Sequence, residues 1–242
     1  MTSITERLDE LVDDYCRRVR YFKEPLTPAR ARMYVTQTRL TTRQRNSVLK
    51  LRVGTNCPIW DIKIDIFKAS AQEIIADDKY ARGQPHWKVV EDLGVAIGMD
   101  REEIRAAKPS RTTELCWLAW DSLMSNRHWL EGIVANTCTE RAVIPGFGDG
   151  DIRKYGTEGF EYRRWKKLFD LTDEQLEFFI MHDEADKEHG DLGWNAVAEH
   201  AARLHMEDAV VEACRLNLMV WEMYENGIGD EADALERTTK SR

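Results

Sequence analysis

The stretch FFIMHDEADKEHG, residues 178–190, decides the interpretation of this chain. On an α-helix, His182, Asp186 and His189 follow one another at intervals of four and three residues, so their side chains share one face. The phenylalanines that open the stretch lie close to that face, which is therefore expected to enter the core. Burying two imidazoles and a carboxylate without partners costs roughly 2–7 kcal/mol for each unsatisfied group. A metal ion bound to all three side chains would satisfy them together.

The same stretch is rich in charge, which leaves a simpler alternative open. In that alternative, both histidines are ordinary surface or hydrogen-bonded residues. If a metal does bind, the ligand types favour iron or manganese, because imidazole and carboxylate occur here without a thiolate.

Helical periodicity extends outward from this stretch over nearly the whole chain, and strand signals are poor. Helix starts are marked by Thr27-Pro28, by Pro58, by Asp100 with Glu103, and by a capping box at residues 172–175. Helices are predicted over residues 4–20, 28–54, 58–79, 84–98, a short segment after 100, 112–144, 157–169, 172 to beyond 189, and 206–226.

Two segments interrupt or end this helical pattern. The glycine-rich segment PGFGDGD, residues 145–151, predicts a loop. The last helix is expected to end at Gly227, which leaves an acidic, frayed tail over residues 227–242. No linker divides the chain, so the prediction is one all-α domain over residues 1–242. It would be a helical bundle of about seven to eight helices with its core between about residues 20 and 226.

Composition excludes several classes of protein. The chain has 242 residues, of which 43% are apolar and 32% charged, as in a globular protein. Its formal net charge of −8 argues against a nucleic-acid partner or an anionic membrane surface. No window approaches 18 uninterrupted apolar residues, so no membrane span is expected. The five cysteines form no CxxC pair, which favours a reducing, cytoplasmic location over a disulfide framework.

A second candidate ligand, Glu140, lies in the helix predicted over residues 112–144. Ile133, Thr137 and Ile144 share its face, which places the carboxylate beside apolar positions. The alternative is a solvated carboxylate, or one paired with its neighbour Arg141.

A third element is the acidic pair Asp77-Asp78, which is followed by His86. Two carboxylates at the end of a helix are electrostatically unfavourable, since the C-terminal end of the helix dipole is negative. A bound cation would compensate for them, and a solvated acidic turn is the alternative. Helical bundles hold di-iron centres with carboxylate and histidine ligands that project inward in this manner. The combined candidate ligands are Asp78, His86, Glu140, His182, Asp186 and His189.

In these residues the sequence resembles the haem-oxygenase-like di-iron oxidases, a superfamily that shares its bundle with thiaminase II and pyrroloquinoline quinone synthase. That family has an early acidic residue and histidine, a glutamate in a middle helix, and a late His-x3-Asp-x2-His motif. The late motif here matches in spacing. The family usually has glutamate at the early acidic position, so Asp77 and Glu73 are alternates to Asp78. The interval between Glu140 and His182 is also longer than usual, which we assign to the loop at 145–151.

The resemblance implies oxygen chemistry. Two ferrous ions would react with O2 and oxidise a small organic substrate in a biosynthetic pathway, with manganese as an alternative ion. Family members act on amino acids, fatty acids or arylamines by N-oxygenation, desaturation or oxidative carbon–carbon cleavage. Each histidine would bind through one nitrogen while an acceptor such as Glu73, Asp77 or Asp183 holds the other. An external electron donor and a homodimer are compatible with the resemblance.

Two other functions stay open. The first is a metal-independent enzyme of the thiaminase II or quinone-synthase type, in which Cys138 is a candidate nucleophile. The second is a non-enzymatic helical interaction protein. Arg39, Arg43 and Arg45 are candidates for binding a substrate carboxylate, although the sequence favours a solvated basic face for them.

Overall fold

Within residues 2–143, 146–148 and 155–240, which the computed structural model describes, the chain forms helices and no β-strand. A single isolated bridge joins Asp77 to Gln84. The predicted all-α fold is therefore confirmed. The α-helices are α1 (Ile4–Arg18), α2 (Pro28–Thr41), α3 (Lys50–Asn56), α4 (Trp60–Ile74), α5 (His86–Ala96), α6 (Arg101–Ala106), α7 (Arg111–Ser125), α8 (Trp129–Ala142), α9 (Phe160–Phe169), α10 (Glu177–His200) and α11 (Glu207–Lys240).

The residues between α2 and α3 continue the helix in a different form. Thr42–Leu49 is a π-helix, and within it the Ser47 hydroxyl donates a hydrogen bond to the carbonyl of Thr42 at 2.9 Å. The stretch predicted as one helix from residue 28 to about 54 is thus continuous but changes its winding. π-Helical segments are rare and are frequently found at functional sites.

The helix predicted over residues 112–144 is divided, so that prediction is wrong. Its two parts are α7 and α8, separated by residues 126–128. His128 caps α8 by accepting a hydrogen bond from the Leu130 amide, and the Glu131 side chain accepts one from the His128 amide. This reciprocal cap provides hydrogen-bond partners for backbone amides that would otherwise lack them at the break between the two helices. Residues 144–145 and 149–154, in which the predicted helix end and most of the predicted loop fall, lie outside the described residues.

The last helix does not end at Gly227, and the predicted frayed tail is wrong. Helix α11 continues to Lys240. Gly227 lies so close to α7 that an added Cβ would meet Thr112 Cγ2 at 2.5 Å, so this glycine permits close packing and does not stop the helix. Further along, the Arg30 guanidinium donates to both carboxylate oxygens of Asp233 at 2.9 and 2.7 Å. These contacts hold the C-terminal turns against the bundle.

Helix α8 lies in the centre of the bundle and packs against α1, α3, α7, α10 and α11. Eleven of its side chains or backbone positions are buried, on all sides of the helix. Such a helix positions any functional group that it carries inside the protein. All five cysteines are buried thiols. Among the described residues, no helix has the length and apolar character needed to cross a bilayer.

Candidate metal centre

The predicted face of α10 turns into the protein. Asp186 and His189 are 8% and 6% exposed, and His182 is half-buried beside Phe178. Helix α10 packs mainly against α8, and it also contacts α4 and α5. The late motif is thereby placed opposite the two regions that supply the other candidate ligands.

Helices α4 and α5 bring the early residues together around His86, which is 1% exposed. Its Nδ1 lies 3.2 Å from Glu73 Oε2, and its Nε2 lies 2.8 Å from Asp77 Oδ2. The Asp77 carboxylate also accepts hydrogen bonds from the amides of Lys79 and Tyr80, at 3.0 and 2.9 Å. This turn fixes Asp77 inward and leaves Asp78 exposed. The two alternates, and not Asp78, contact the histidine.

Glu140 completes the cluster from α8. Its Oε1 lies 3.3 Å from Nζ of Lys50 and 4.0 Å from Nδ1 of His189. Glu73, Glu140 and His189 each offer a ligand atom, and these atoms lie within 4.8 Å of one another. Three separate helices therefore aim nitrogen and oxygen donors at one point.

Each of the three histidines has one ring nitrogen held by an oxygen acceptor. His182 Nδ1 lies 2.6 Å from the Phe178 carbonyl, and His189 Nε2 lies 3.0 Å from Gln72 Oε1. The Nε2 of His86 is held by the Asp77 carboxylate as described above. Carbonyl and carboxylate oxygens only accept, so these nitrogens carry the proton and the opposite nitrogens are left for ligation.

The donor set fits a divalent metal ion. Glu73 Oε2, Glu140 Oε2 and His86 Nδ1 are buried and have no hydrogen-bond partner. Unsatisfied buried polar atoms are rare and need an explanation, of which an absent ion is one. Carboxylate and imidazole donors without thiolate suit iron and manganese.

Burial and charge shape the ionisation of these groups. Burial lowers the pKa of both His182 and His189 to about 4, so both rings are neutral at pH 7, the form that binds metal. Burial, followed by the charges of Glu140 and Glu73, raises the pKa of Asp186 well above its usual range. Burial alone would lower the pKa of His86, but the carboxylates of Glu73 and Asp77 raise it to about 10. In the metal-free protein His86 is therefore protonated at pH 7, and its positive charge balances the neighbouring carboxylates.

A pocket opens beside this cluster. Its lining residues come from α2, the π-helix, α8, α10 and α11 and include Glu140, His182 and Asp186. The other side chains that line it are Tyr34, Thr38, Thr41, Thr42, Arg45, Asn46, Thr139, Val143, Tyr155, Phe178, Trp221, Tyr224 and Glu225.

The solvated basic face predicted for the three arginines near residue 40 is wrong for two of them. Arg39 and Arg45 are 4% and 1% exposed, and only Arg43 is exposed. Arg39 forms an ion pair with the buried Glu91 at 2.6 Å, and Arg45 lines the pocket. Buried arginines require specific partners, which the periodicity of a short helix does not reveal.

Sequence reasoning missed Lys50 and Gln72. No local signal identifies either residue, because each one acts through a contact to another helix. Cys138, the candidate nucleophile, is fully buried and accepts a hydrogen bond from Asn217 Nδ2 at 2.9 Å. It is absent from the described residues that line the pocket.

Comparison with known proteins agrees with this arrangement. A crystal structure from Shewanella denitrificans OS217, described as a domain of unknown function with a heme oxygenase-like fold, superposes with a TM-score of 0.68. The two sequences are 16% identical, and the match covers 96% of this chain and 91% of that one, so the likeness shows the fold. A search of curated proteins gives no significant match. A family model described as "Iron-containing redox enzyme" matches residues 32–222, which include every candidate ligand. The chain therefore belongs to this family of iron-containing redox enzymes, with a haem-oxygenase-like fold.

Proposed function

We propose that the protein is a non-haem di-iron oxidase or oxygenase that uses O2 to oxidise a small organic substrate. The observation that carries the proposal is the orientation of the three histidines. In each ring one nitrogen is held by an oxygen acceptor, and the other is left for a metal. This is the arrangement by which proteins usually orient metal-binding imidazoles. Of these second nitrogens, Nδ1 of His86 is buried without a hydrogen-bond partner, which a purely structural histidine does not require.

The proposed ligands are Glu73, His86, Glu140, His182, Asp186 and His189. Glu73 takes the early acidic position because its Oε2 is unpartnered and lies 3.2 Å from the unpartnered Nδ1 of His86. Asp77 is assigned to the outer shell, where it holds the other nitrogen of His86. Asp78 is left out of the proposed ligand set, because its side chain is exposed.

When bound, two ferrous ions would supply the electrons for activating O2, and the chain's own residues set the conditions for that reaction. The three carboxylates would neutralise three of the four positive charges of two divalent ions, and the three imidazoles would add neutral nitrogen ligands. Lys50, which is 1% exposed, donates to Glu140 and limits the positions that this carboxylate can take. The aromatic side chains of Tyr34, Tyr155 and Phe178 line the pocket beside the cluster and exclude water from it.

Anaerobic titration with ferrous iron tests this proposal. Native protein is expected to bind about two irons per chain, and exposure to O2 should then give a transient visible absorption. Glu73→Gln should lose iron, because it removes a charged ligand. Asp78→Asn is the matched control, only five residues away and exposed, and it should bind iron like the native protein.

Two outcomes would overturn the proposal. One is a folded native protein that takes up no ferrous or manganous ion. The other is retention of iron in all of Glu73→Gln, His86→Ala and Glu140→Gln, which would show that the cluster around His86 is not the site. Circular dichroism of each variant establishes that it is folded.

A further inference from the structure

A buried lysine at the start of α3 contacts the candidate metal centre. Among the lysines whose side chains the structure describes, Lys50 alone is buried. Its Nζ lies 3.3 Å from Glu140 Oε1. A buried ammonium group is costly unless an anion balances its charge, and lysine is almost never fully buried without such a partner. In the metal-free protein the carboxylate of Glu140 provides this balance.

The π-helix that precedes α3 explains why this lysine points inward. The amide of Lys50 donates a hydrogen bond to the carbonyl of Arg45, five residues earlier, which is the bond that defines π-helical winding. Residues five apart therefore face nearly the same way here, and both side chains are buried. In an α-helix, with about 3.6 residues per turn, the two side chains would point to different sides. The rare winding thus places the ammonium of Lys50 beside Glu140.

The charge of Lys50 also acts on other proposed ligands. Burial, followed by the charge of Lys50, lowers the pKa of His189 to about 4. Burial alone would raise the pKa of Glu73, but the charge and hydrogen bond of His86 and, less strongly, the charge of Lys50 lower it to about 2. The ammonium is therefore close enough to the cluster to act on an ion bound there.

Glu140 is the residue that a metal ion and the lysine would have to share. Its Oε1 lies near both Lys50 Nζ, at 3.3 Å, and His189 Nδ1, at 4.0 Å, and its Oε2 is buried without a partner. Any ion that binds Glu140 therefore shares one carboxylate with an ammonium group. Two positive charges on a buried carboxylate repel each other, and water screens them little.

We propose that Lys50 is the internal counter-ion of the metal-free site and competes with iron for the carboxylate of Glu140. It stabilises the fold before metal binds, and it weakens the binding of the metal. The inference rests on the proposed function for the identity of the ligands. It gives Lys50 an effect opposite to that of Gln72, whose contact with His189 supports metal binding.

Removal of the charge tests this inference with two measurements that require no turnover. Lys50→Gln removes the charge and keeps a hydrogen-bond donor, and Lys50→Met removes both. Each variant should bind manganous ion about ten-fold more tightly than native protein, as measured by competition with a chromophoric chelator. In urea unfolding each variant should be less stable than native protein without metal. This deficit should shrink at saturating manganous ion, because tighter binding stabilises the folded variant more.

Two controls separate the charge of Lys50 from other effects of substitution. Lys68→Gln removes a lysine charge from α4, where the side chain is 73% exposed and pairs with Asp65. Water screens that charge, so metal affinity and stability should both stay native. Arg39→Gln breaks the buried ion pair with Glu91 and should destabilise the protein without tightening metal binding. It tests whether instability alone raises the affinity.

Unchanged or weaker metal binding in both Lys50 variants overturns the inference, because a lysine that only orients Glu140 would support metal binding. That result leaves the proposed function intact when native protein binds the metal. Native protein that binds no ion overturns both proposals. If neither variant folds without metal, refolding in the presence of manganous ion decides. Recovery of the helical circular dichroism signal supports the counter-ion role, and failure to recover it contradicts that role.

Discussion

Two buried clusters of charged side chains in this bundle differ in how their carboxylates are neutralised. The first cluster consists of Glu91 on α5, whose side chain is 0% exposed, and the arginines around it. Arg39 Nε lies 2.6 Å from one carboxylate oxygen, and Arg105 Nε and Arg101 Nη1 lie 3.1 and 3.4 Å from the other. Burial alone would raise the pKa of Glu91, but Arg39 and Arg105 lower it. Protein cations thus balance this charge completely.

The second cluster, on α4 and α8, lacks such a balance. Glu73 and Glu140 each keep one buried oxygen without a hydrogen-bond partner. Their neighbours are Lys50 and His86, and the latter is cationic only while it holds a proton. This difference in partners distinguishes buried carboxylates that stabilise the fold from buried carboxylates that are available to a ligand. A carboxylate with arginines on both oxygens is structural, whereas one with an open oxygen in a group of histidines is available to a metal.

The largest expected effect comes from breaking the structural cluster. Glu91→Gln leaves the guanidinium of Arg39 buried without a counter-charge and should lower the free energy of unfolding by about 3 kcal/mol. Urea unfolding measures this, and the loss should be equal with and without iron. Glu102→Gln removes a partly exposed contact to Arg105 and should change stability by less than about 1 kcal/mol. A loss that disappears on adding iron would contradict the division between the two clusters.

The second prediction concerns what iron adds to stability. Ferrous iron at about one hundred times its dissociation constant should raise the free energy of unfolding by about 2.7 kcal/mol. Glu91→Gln should keep this gain, since its cluster does not bind the ion. Glu73→Gln should lose most of it. Anaerobic urea unfolding of the three proteins measures the gain, and a full gain in Glu73→Gln would remove Glu73 from the site.

The sequence predicted one half of the candidate site better than the other, for a physical reason. His182, Asp186 and His189 lie on a single long helix, so helical periodicity alone places them on a common inward face. The early residues lie where α4 gives way to a turn, and there neighbouring side chains point in different directions. Periodicity cannot decide between Asp77 and Asp78 in such a turn, since hydrogen bonds to the amides of residues 79 and 80 settle it.

The helix boundaries also depend on contacts that local sequence patterns do not reveal. A glycine marks a helix end only when no neighbour comes close, and Gly227 instead lets α11 pack tightly against Thr112. The break before α8 has no glycine or proline, and its cap is a histidine, which the usual capping residues do not include. Gln72, Lys50 and Arg45 act through contacts between helices, and a single sequence does not report such contacts.

The third prediction sharpens the distinction between a ligand and the residue that holds it. Asp77→Asn keeps the size of the side chain, but its amide nitrogen cannot accept the hydrogen bond that His86 Nε2 donates. If Oδ1 stays on the amides of the turn, the histidine should adopt its other tautomer, with the proton on the metal-binding nitrogen. Iron affinity should then fall about 10- to 100-fold. Competition with a chromophoric chelator measures it, with Asp78→Asn as the control, and an unchanged affinity would contradict the assigned role.

The smallest expected effect is a pH dependence of the stability that Glu91 contributes in the structural cluster. The pKa of Glu91 is lower in the folded protein than its ordinary value of 4.5, so the unfolded chain takes up the proton first. Its contribution to stability is therefore complete above about pH 4.5 and is lost as the pH falls through the lower folded pKa. The difference in unfolding free energy between native protein and Glu91→Gln should be constant from pH 6 to 8. Below pH 4.5 it should shrink by at most about 1.4 kcal/mol per pH unit. Urea unfolding from pH 3.5 to 8 measures this, and a difference that stays constant over that range would show that the Glu91 charge does not stabilise the fold.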